Sequence, residues 1–527
     1  MKKLTSFQLV KKQVSLFLTF IQLLIILLVF IPPINAQTKL MTISEPNDWT
    51  DFINFLPNAK MAGISIRISL LPPSRTPPIC PTCNYSEPYR LDFLRWGKEI
   101  ANLSLRYSNL KEYSIEELQQ NVDLGFLTQK YIDSVTSEVK SINPTLNLIK
   151  NNTRTYWVAT TGNDNNTGTY AKPFTTIKHA YSLANPGDSV IVMPGTYTEI
   201  VSGTEVCFWF NRNGTAYQPI VVKSYTKGSA ILDGQLNTTN KYVIAISGNY
   251  NVVSGFNIKR GGFFGVTVQG NHNTITYCEV DSNGNVSNPS SMGQGGIYEG
   301  NGGYRGTYMY NYIHNNGRTP GGGDHGVYIE SDSALIAYNI ITYNSDAGVN
   351  TKGTHTFIYN NTLAHNGHAI GISDQDPVYP NYIVIRNNIF YLDNLEGADS
   401  SNISSYGYGQ GYAIHDACDY ITYGGRTPVV IKNNLFAEKS TNYMFEMKSP
   451  HNWGASWYSY GHWDTSGVYE DYNRTLFVSD PTDFRISSNT EIAVDHGYDW
   501  QTAWGITQDF LGNTKNGSNW DIGAIEY

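Results

Sequence analysis

The stretches "NYIHNN" (Asn311–Asn316), "NIITYN" (Asn339–Asn344) and "NTLAHN" (Asn361–Asn366) share one pattern, with asparagine at both ends and an apolar third residue. The last two begin 22 residues apart, because 361 − 339 = 22. Looser copies of the pattern begin at Asn251, Asn273, Asn388 and Asn434. A recurring period of this length with strand-forming content predicts a solenoid, in which each coil stacks on the one before it.

The asparagines of this pattern are expected to serve the fold. Equivalent residues on neighbouring coils of a solenoid lie about 4.8 Å apart. Asparagine suits a turn because it tolerates left-handed backbone geometry, and its amide can bond to the asparagines above and below. We therefore predict that Asn311, Asn339 and Asn361 are stacked vertically and take no part in a reaction.

A second repeat alternates apolar and polar residues, which is typical of strands with one buried face. It comprises "HGVYIE" from His325, "AGVNTK" from Ala347 and "HAIGIS" from His368. The apolar members are predicted to point into the coil: Val327, Ile329, Val349, Ile370 and Ile372. Tyr328 and Glu330 should then point outward above Asn350 and Lys352. By the same alternation His325 would point inward, although its place at the start of a strand leaves its direction open.

The region that begins at Thr155 opens with "TYWVATTGNDNNTGTYAKPFTTIKHAYSLANPGDSVIVMPGTYTE". It closely resembles the opening of right-handed parallel β-helix proteins of the pectate-lyase-like superfamily, where a short helix caps the first coil. The resemblance extends to Tyr527, and it implies a mainly β fold with a parallel β-helix over residues 155–440. Residues 441–527 are then the C-terminal coils and a capping tail. That tail, which ends in "DIGAIEY", resembles the tails of exported β-helix proteins, so Asp521 and Glu526 are predicted to cap the last coil.

Residues 40–150 differ in pattern, because strand-like and helix-like stretches alternate and predict a small α/β unit. The stretch "EPYRLDFLRWGKEIANLSLRY" resembles part of the barrel domains of glycosidase-like exported proteins. In such barrels acidic residues at strand ends act on sugars, and here Glu116 and Glu117 are the only carboxylates available at that point. An eight-stranded barrel needs about 250 residues, so we predict a partial, non-catalytic accessory domain.

The first 36 residues combine lysines with a long apolar run and end in "INAQ", which is typical of a secretory signal peptide. The run is also long enough for a membrane anchor, and both alternatives place the remaining chain outside the cell membrane, secreted or at the cell surface.

Asn-X-Ser/Thr sequons such as Asn84 and Asn360 indicate either a glycoprotein or chance in an Asn-rich chain. The net charge of −8 argues against nucleic-acid binding, and we expect a monomer.

Four residues are the candidate catalytic group: Asp324, His325, Glu330 and Lys352. Asp324 could orient the imidazole of His325 as a general base. Glu330 favours the charged form of Lys352, which predicts that this lysine holds a substrate carboxylate rather than acting as the base. The alternatives are a structural stack of turn histidines that includes His368, and a cross-strand ion pair between Glu330 and Lys352.

Further residues of the same surface are predicted to bind substrate: Tyr298, Tyr328, Asn350, His368, Asp374, Asp376 and His415. Aromatic and hydrogen-bonding side chains in a shallow groove suit a sugar chain. Asp374 and Asp376 could bind Ca²⁺, which is the one candidate cofactor, or act as a glycosidase acid and base, or form an ordinary turn. The remaining turn histidines are predicted to be ordinary turn or surface residues: His314, His355 and His365.

Together these features predict an exported carbohydrate-active β-helix protein that acts on a polysaccharide in a groove on its outer face. A lyase, an epimerase and a glycoside hydrolase all remain open. The alternative is a non-catalytic surface protein, either glycan-binding or adhesin-like. Convergence of the Asp324, His325, Glu330 and Lys352 side chains on one groove would favour the enzyme, and scatter would favour the binding protein.

Overall fold

The computed structural model describes most of the chain, in two compact units that comprise residues 1–154 and 155–527. The described residues are 38–45, 47–73, 76–77, 84–116, 118, 121, 127–149, 153–200, 204–216, 218–236, 242–284, 294–300, 302–317, 323–373, 382–392, 414–416, 429–438, 445–447, 469–471, 477–479, 483–486, 493–494, 497, 506, 508–515 and 520–525.

The N-terminal unit is a four-stranded parallel sheet with its strands side by side in chain order. The strands are Thr38–Ile43, Ser65–Leu70, Leu110–Ile115 and Asn147–Ile149. Helices Asp48–Met61, Phe93–Arg106 and Gln129–Ile142 connect them. Parallel neighbours require such crossover connections, so the strand–helix alternation in the sequence leads directly to this sheet. The predicted small α/β domain is confirmed, and its first helix is an element that the sequence pattern did not reveal.

The larger unit is a right-handed parallel β-helix in which each coil contributes one strand to each of three sheets. Sheet 1 contains Val206–Phe210, Tyr242–Ile246, Phe264–Val268, Gly295–Glu299, His325–Ile329, Ala347–Thr351, His368–Ile372, Ile414–Asp416 and Phe445–Met447. Sheet 2 contains Thr155–Val158, Ser189–Val192, Ile220–Ser224, Asn251–Ser254, Thr274–Thr276, Thr307–Met309, Leu335–Ala337, Phe357–Tyr359, Val384–Arg386 and Val430–Lys432. Sheet 3 contains Gly195–Tyr197, Ala230–Asp233, Asn257–Lys259, Glu279–Asp281, Tyr312–His314, Ile340–Thr342, Thr362–Ala364, Ile389–Leu392, Leu435–Glu438 and Tyr469–Asp471. Strands Phe477–Ser479 and Asp483–Ile486 form a separate antiparallel pair.

The interior of the β-helix is a continuous column of apolar side chains. All five residues predicted to point inward are fully buried: Val327, Ile329, Val349, Ile370 and Ile372. Their outward neighbours Tyr328 and Asn350 are partly exposed. The period-2 alternation therefore assigned the two faces of sheet 1 correctly.

Two ladders of buried asparagines run along the β-helix. In the first, the Nδ2 of Asn311 donates to Oδ1 of Asn339 at 3.0 Å, and Asn339 donates likewise to Asn361 at 2.9 Å. The second ladder joins the other ends of the repeated stretches: Asn283, Asn316, Asn344 and Asn366. The predicted stacking is confirmed. The left-handed residue of the turn, however, is the one before the ladder asparagine, as Tyr338 shows with a φ of 53°.

A short helix, Ile177–Leu183, covers the first coil, as the resemblance implied. Ile177 and Tyr181 are buried against that coil. Glu199 closes the helix N-terminus, because its carboxylate oxygens accept the backbone N–H groups of Ile177 at 2.6 Å and Lys178 at 2.9 Å. This arrangement satisfies two donors that a helix start leaves without intrahelical partners.

Glu199 is expected to make the stability of the β-helix depend on pH. Burial raises the pKa of its carboxyl to about 7, above the usual 4.5, and outweighs the two backbone hydrogen bonds that lower it. The stability that comes from the protonated form is therefore complete below pH 4.5 and is lost as the pH rises through about 7. Urea unfolding measures this effect. As the pH rises from 4.5 to 8, the free energy of unfolding of wild type should fall relative to that of Glu199→Gln. Parallel pH profiles for the two proteins would contradict this assignment.

The described part of the C-terminal tail lies along the side of the β-helix. The Nδ2 of Asn360 donates to the carbonyl of Asp521 at 3.0 Å, and the N–H of Gly523 donates to the carbonyl of Asn387 at 2.7 Å. Tail residues Ile522, Ala524 and Ile525 pack on outward-facing side chains of sheet 3. The prediction that Asp521 covers the edge of the last coil is thus wrong. The described tail lies on the side of the β-helix instead, because the outward-facing apolar side chains of sheet 3 provide the surface on which it packs. Glu526 lies outside the described residues.

Two sequence-based expectations fall on parts of the chain outside the described residues. These are the leader, residues 1–36, and Glu117. Among the described residues no helix is both long and apolar enough to span a membrane. Asn360 is fully buried between coils, so this sequon is inaccessible to glycosylation in the folded protein.

Candidate functional site

A column of outward-facing positions crosses sheet 1, one position per coil. Tyr298 is paired with Tyr328, Tyr328 with Asn350, and Asn350 with Gly371. Gly371 is paired in turn with His415. The strand register therefore follows the predicted alignment, although the side chain of His415 lies outside the described part of the structure.

Glu330 is the centre of a compact polar cluster on this face. The hydroxyl of Tyr298 donates to Oε2 of Glu330 at 2.6 Å, and the hydroxyl of Tyr328 donates to Oε1 at 2.7 Å. The ammonium of Lys352 lies 3.4 Å from the same Oε1 and 5.2 Å from the centre of the Tyr328 ring. The carboxylate, the ammonium and two hydroxyls thus meet at one place on the outer surface.

The charges of this cluster follow from its contacts. Burial raises the pKa of Glu330, but the hydroxyls of Tyr298 and Tyr328 and the ammonium of Lys352 together hold it below its usual value. Burial and the bond to Glu330 both raise the pKa of each tyrosine. At neutral pH Glu330 is therefore a carboxylate, and both tyrosines are neutral hydrogen-bond donors.

His325 joins the outer-face cluster. Its ring centre lies 5.0 Å from that of Tyr328, and its Nε2 lies 2.9 Å from the amide Nδ2 of Asn350. Both partners occupy outward-facing positions, so alternation did not predict the direction of this side chain. A residue at the first position of a strand is not held by the pleat on both sides, and this explains the exception. The side chain is 5% exposed.

Asp346 is the carboxylate beside the imidazole of His325. Its Oδ2 lies 3.7 Å from Nδ1 of His325, and its Oδ1 lies 3.3 Å from Nε2 of His368. Burial lowers the pKa of both histidines to about 4, and it raises the pKa of Asp346. The two imidazoles are therefore neutral at neutral pH and flank one shared carboxyl group.

Asp324 has a structural contact instead of the predicted orienting one. Its Oδ1 accepts the backbone N–H of Gln294 on the preceding coil at 3.0 Å, and the residue is fully buried. Sequence alignment of the coils could have found Asp346, because it directly precedes Ala347 just as Asp324 precedes His325. The N–H of Asp346 also donates to the carbonyl of Asp324 at 3.0 Å.

The structure thus brings most of the predicted residues together. Six side chains form one connected set of contacts: Tyr298, His325, Tyr328, Glu330, Asn350 and Lys352. His368 joins this set through Asp346. Asp374 and Asp376 lie outside the described residues, and so do any Ca²⁺ ligands that they would supply.

An aromatic row continues the site along sheet 1 toward the N-terminal coils. The ring of Phe264 stacks on Tyr298 at 5.0 Å between centres, with 18° between the planes. Tyr242 lies parallel to Phe264 at 6.5 Å. Trp209, on the next coil, is 41% exposed. Phe264 is buried, so the accessible flat side chains of this row are Tyr298, Tyr242 and Trp209.

Comparison with known proteins agrees with the described architecture. Residues 156–316 match the model of the Pel9A-like right-handed β-helix region. Pectate lyase L of Dickeya chrysanthemi is 29% identical over 150 residues, which are 28% of this chain and 35% of that protein. The uncharacterized protein YwoF of Bacillus subtilis is 30% identical over 103 residues, which are 18% of this chain and 20% of that protein. The chain therefore spans about a third or less of the length of these curated relatives.

Solved structures of similar architecture include pectate lyase Pel9A, with a TM-score of 0.46 and 18% identity over 71% of this chain and 96% of that one. A rhamnogalacturonan lyase has a TM-score of 0.43 and 18% identity over 62% of this chain and 91% of that one. The family match over residues 156–316 and the three parallel sheets show that residues 155–527 contain a right-handed parallel β-helix of the pectate-lyase-like kind.

Proposed function

We propose that this protein is an exported polysaccharide lyase that cleaves a uronate-containing chain bound along the outer face of sheet 1. The observation that carries the proposal is the cluster in which Lys352, Glu330 and Tyr328 meet beside the neutral imidazole of His325. The similarity to a protein named pectate lyase over 150 residues supports the substrate class. Export remains the expectation from the leader sequence.

β-Elimination needs a base, a cation and a leaving group. The base removes the proton on the carbon next to the uronate carboxylate, and the electron pair forms a carbon–carbon double bond while the bond to the glycosidic oxygen breaks. The leaving oxygen takes up a proton, so the reaction consumes no water. A cation near the substrate carboxylate stabilises the negative charge that develops there.

We assign these roles from the charges of the cluster. Lys352 is 24% exposed and would hold the substrate carboxylate, in exchange for part of its interaction with Glu330. His325, neutral at neutral pH, would accept the proton. Asp346 replaces Asp324 as the orienting carboxylate, because its negative charge raises the pKa of His325 and would stabilise the imidazolium that forms.

The aromatic row fits a sugar chain that runs across the coils. Pyranose rings present apolar faces that stack on aromatic side chains, and their hydroxyl edges seek hydrogen-bond partners. Tyr298 and Tyr242, which are partly exposed, offer platforms on one side of the cluster, and the buried ring of Phe264 packs between them. An acidic polysaccharide would therefore meet both its cation, Lys352, and several stacking surfaces on the same face.

The proposal predicts the product. Incubation with polygalacturonate, rhamnogalacturonan, alginate and neutral polysaccharides, with and without Ca²⁺, should give unsaturated products from at least one uronate substrate and none from neutral chains. Ultraviolet absorbance measures the double bond, and a reducing-end assay measures all chain cleavage. Lys352→Ala, which removes the proposed carboxylate partner, should raise KM and lower kcat on the active substrate.

Two outcomes of this experiment would indicate a different function. New reducing ends without unsaturated products would indicate a glycoside hydrolase. Saturable binding of a polysaccharide with neither signal would indicate a glycan-binding surface protein. The burial of His325 is the observation that favours this second candidate, because a base must reach its substrate.

A further inference from the structure

A second polar cluster lies on sheet 3, on a different face of the β-helix from the candidate lyase site. Glu279 and Asp281 are two residues apart on one strand, so both side chains point to the same outer face. His314 lies opposite Asp281 on the next coil. One ligand atom from each of these three residues lies within 4.8 Å of the others.

The histidine of this cluster is held in place from several sides. Its Nε2 lies 3.1 Å from Oε1 of Glu279, and its ring stacks on Tyr312 with 4.0 Å between the centres. Its Nδ1 lies 2.9 Å from the side-chain amide of Asn315. An amide can present either its NH₂ or its oxygen, so Asn315 can support the imidazole in either tautomer.

One buried oxygen atom of the cluster, Oδ1 of Asp281, has no hydrogen-bond partner. The other oxygen of this carboxylate, Oδ2, accepts the hydroxyl of Ser282 at 3.0 Å. Asn257 lies opposite Glu279 on the preceding coil, and its Nδ2 donates to Oε2 of Glu279 at 2.9 Å.

We infer that Glu279, Asp281 and His314 form a binding site for a divalent transition-metal ion such as Zn²⁺. One imidazole and two carboxylates are a donor set that Zn²⁺ accepts, whereas Ca²⁺ takes oxygen ligands only. A simple ion pair between His314 and Glu279 accounts for the 3.1 Å contact. It leaves the buried Oδ1 of Asp281 unexplained, and a cation beside that oxygen explains it.

The site would join two consecutive coils. Glu279 and Asp281 lie on one strand of sheet 3, and His314 lies on the next. An ion held here acts as a clamp across coils that otherwise interact through backbone hydrogen bonds and side-chain packing. Because a ligand that binds only the folded state raises its stability, metal binding should stabilise the β-helix independently of any lyase activity.

The test uses the purified full-length protein after removal of metals with EDTA. Isothermal titration calorimetry with Zn²⁺ should show one tight site, and thermal unfolding should shift to higher temperature when Zn²⁺ is added. Asp281→Asn keeps the side-chain shape but loses a charge, and His314→Gln loses the nitrogen ligand. Each change should weaken Zn²⁺ binding at least tenfold and abolish most of the thermal shift. Binding should also weaken at acidic pH, because the ligands must be deprotonated.

His355→Asn is the matched control, since it removes an exposed turn histidine of the same β-helix and should leave the tight site unchanged. Zn²⁺ that binds elsewhere remains in both site variants and can be subtracted. Circular dichroism without metal checks folding, and if one site variant fails to fold, the other decides. Unchanged Zn²⁺ affinity in a folded Asp281→Asn or His314→Gln variant would overturn the inference. So would the absence of a tight site in wild type, or a preference for Ca²⁺ over Zn²⁺.

Discussion

Replacing His325 by glutamine is expected to lower kcat on the active uronate polysaccharide by roughly 10²- to 10⁴-fold, the range typical for loss of a general base. Glutamine is the informative replacement, because its side-chain oxygen can still accept a hydrogen bond from Asn350, as Nε2 of His325 can. It cannot take up a proton at neutral pH. Initial rates of unsaturated-product formation at saturating substrate measure the effect.

The pH profile separates a base from a packing residue. His325 must be neutral to accept a proton, and its pKa is about 4, so kcat/KM should fall on the acidic side near pH 4. The negative charge of Asp346 raises this pKa, so Asp346→Asn should move the acidic fall to still lower pH. A wild-type rate in a folded His325→Gln variant would leave only a structural role for this histidine. His355→Asn is the control for general effects of removing a histidine.

The repeat predicted the fold because solenoid coils repeat their physical environment. Each coil places an asparagine at the same turn and apolar residues at the same inward positions, so the period of 22 residues and the alternation of "HGVYIE" were sufficient. The N-terminal cap followed from the resemblance, and the burial of Ile177 and Tyr181 agrees with it. The tail was misplaced, because Ile522 and Ala524 give no indication of which apolar surface they cover.

The candidate site was predicted less completely, since side-chain direction and partner choice depend on three-dimensional contacts. Alternation placed Glu330 and Lys352 on one face, and their 3.4 Å separation agrees with that placement. It could not orient His325 at the start of a strand. Adjacency in the sequence indicated Asp324 as the orienting carboxylate and missed Asp346, which lies beside His325 in space on the next coil.

The proposed Zn²⁺ site on sheet 3 was even less predictable from the sequence than the candidate lyase site. His314 looked like an ordinary turn histidine in the sequence, because its neighbours in the chain include no carboxylate. The partners Glu279 and Asp281 lie one coil earlier, separated from it by an insertion that lengthens the period between the two strands. Such a site becomes visible only when the register of neighbouring strands is known.

Substituting Asn339 by alanine is expected to lower the free energy of unfolding of the β-helix by about 3–6 kcal/mol. Its Oδ1 accepts both the backbone N–H of Asn311, at 2.9 Å, and the Asn311 side-chain amide, at 3.0 Å. Its Nδ2 donates to the carbonyl of Tyr308, at 2.9 Å, and to Asn361. Alanine leaves these groups unbonded in a place without solvent exposure, and each such group costs about 1–3 kcal/mol.

Urea unfolding monitored by circular dichroism measures this effect, and Asn165→Ala is the control. Asn165 is an exposed asparagine of the same unit, so its loss should change the unfolding free energy by less than about 0.5 kcal/mol. Asn339→Asp separates the two halves of the ladder contact, because aspartate retains the acceptor for Asn311 but loses the donor to Tyr308 and Asn361. Its cost at neutral pH should be at least that of the alanine variant, because a buried carboxylate oxygen would then face the carbonyl of Tyr308 and Oδ1 of Asn361 with no donor between them. A loss below about 1 kcal/mol in Asn339→Ala would mean that water enters the turn and satisfies the exposed groups, and that the asparagine ladder directs the register of the coils without stabilising them.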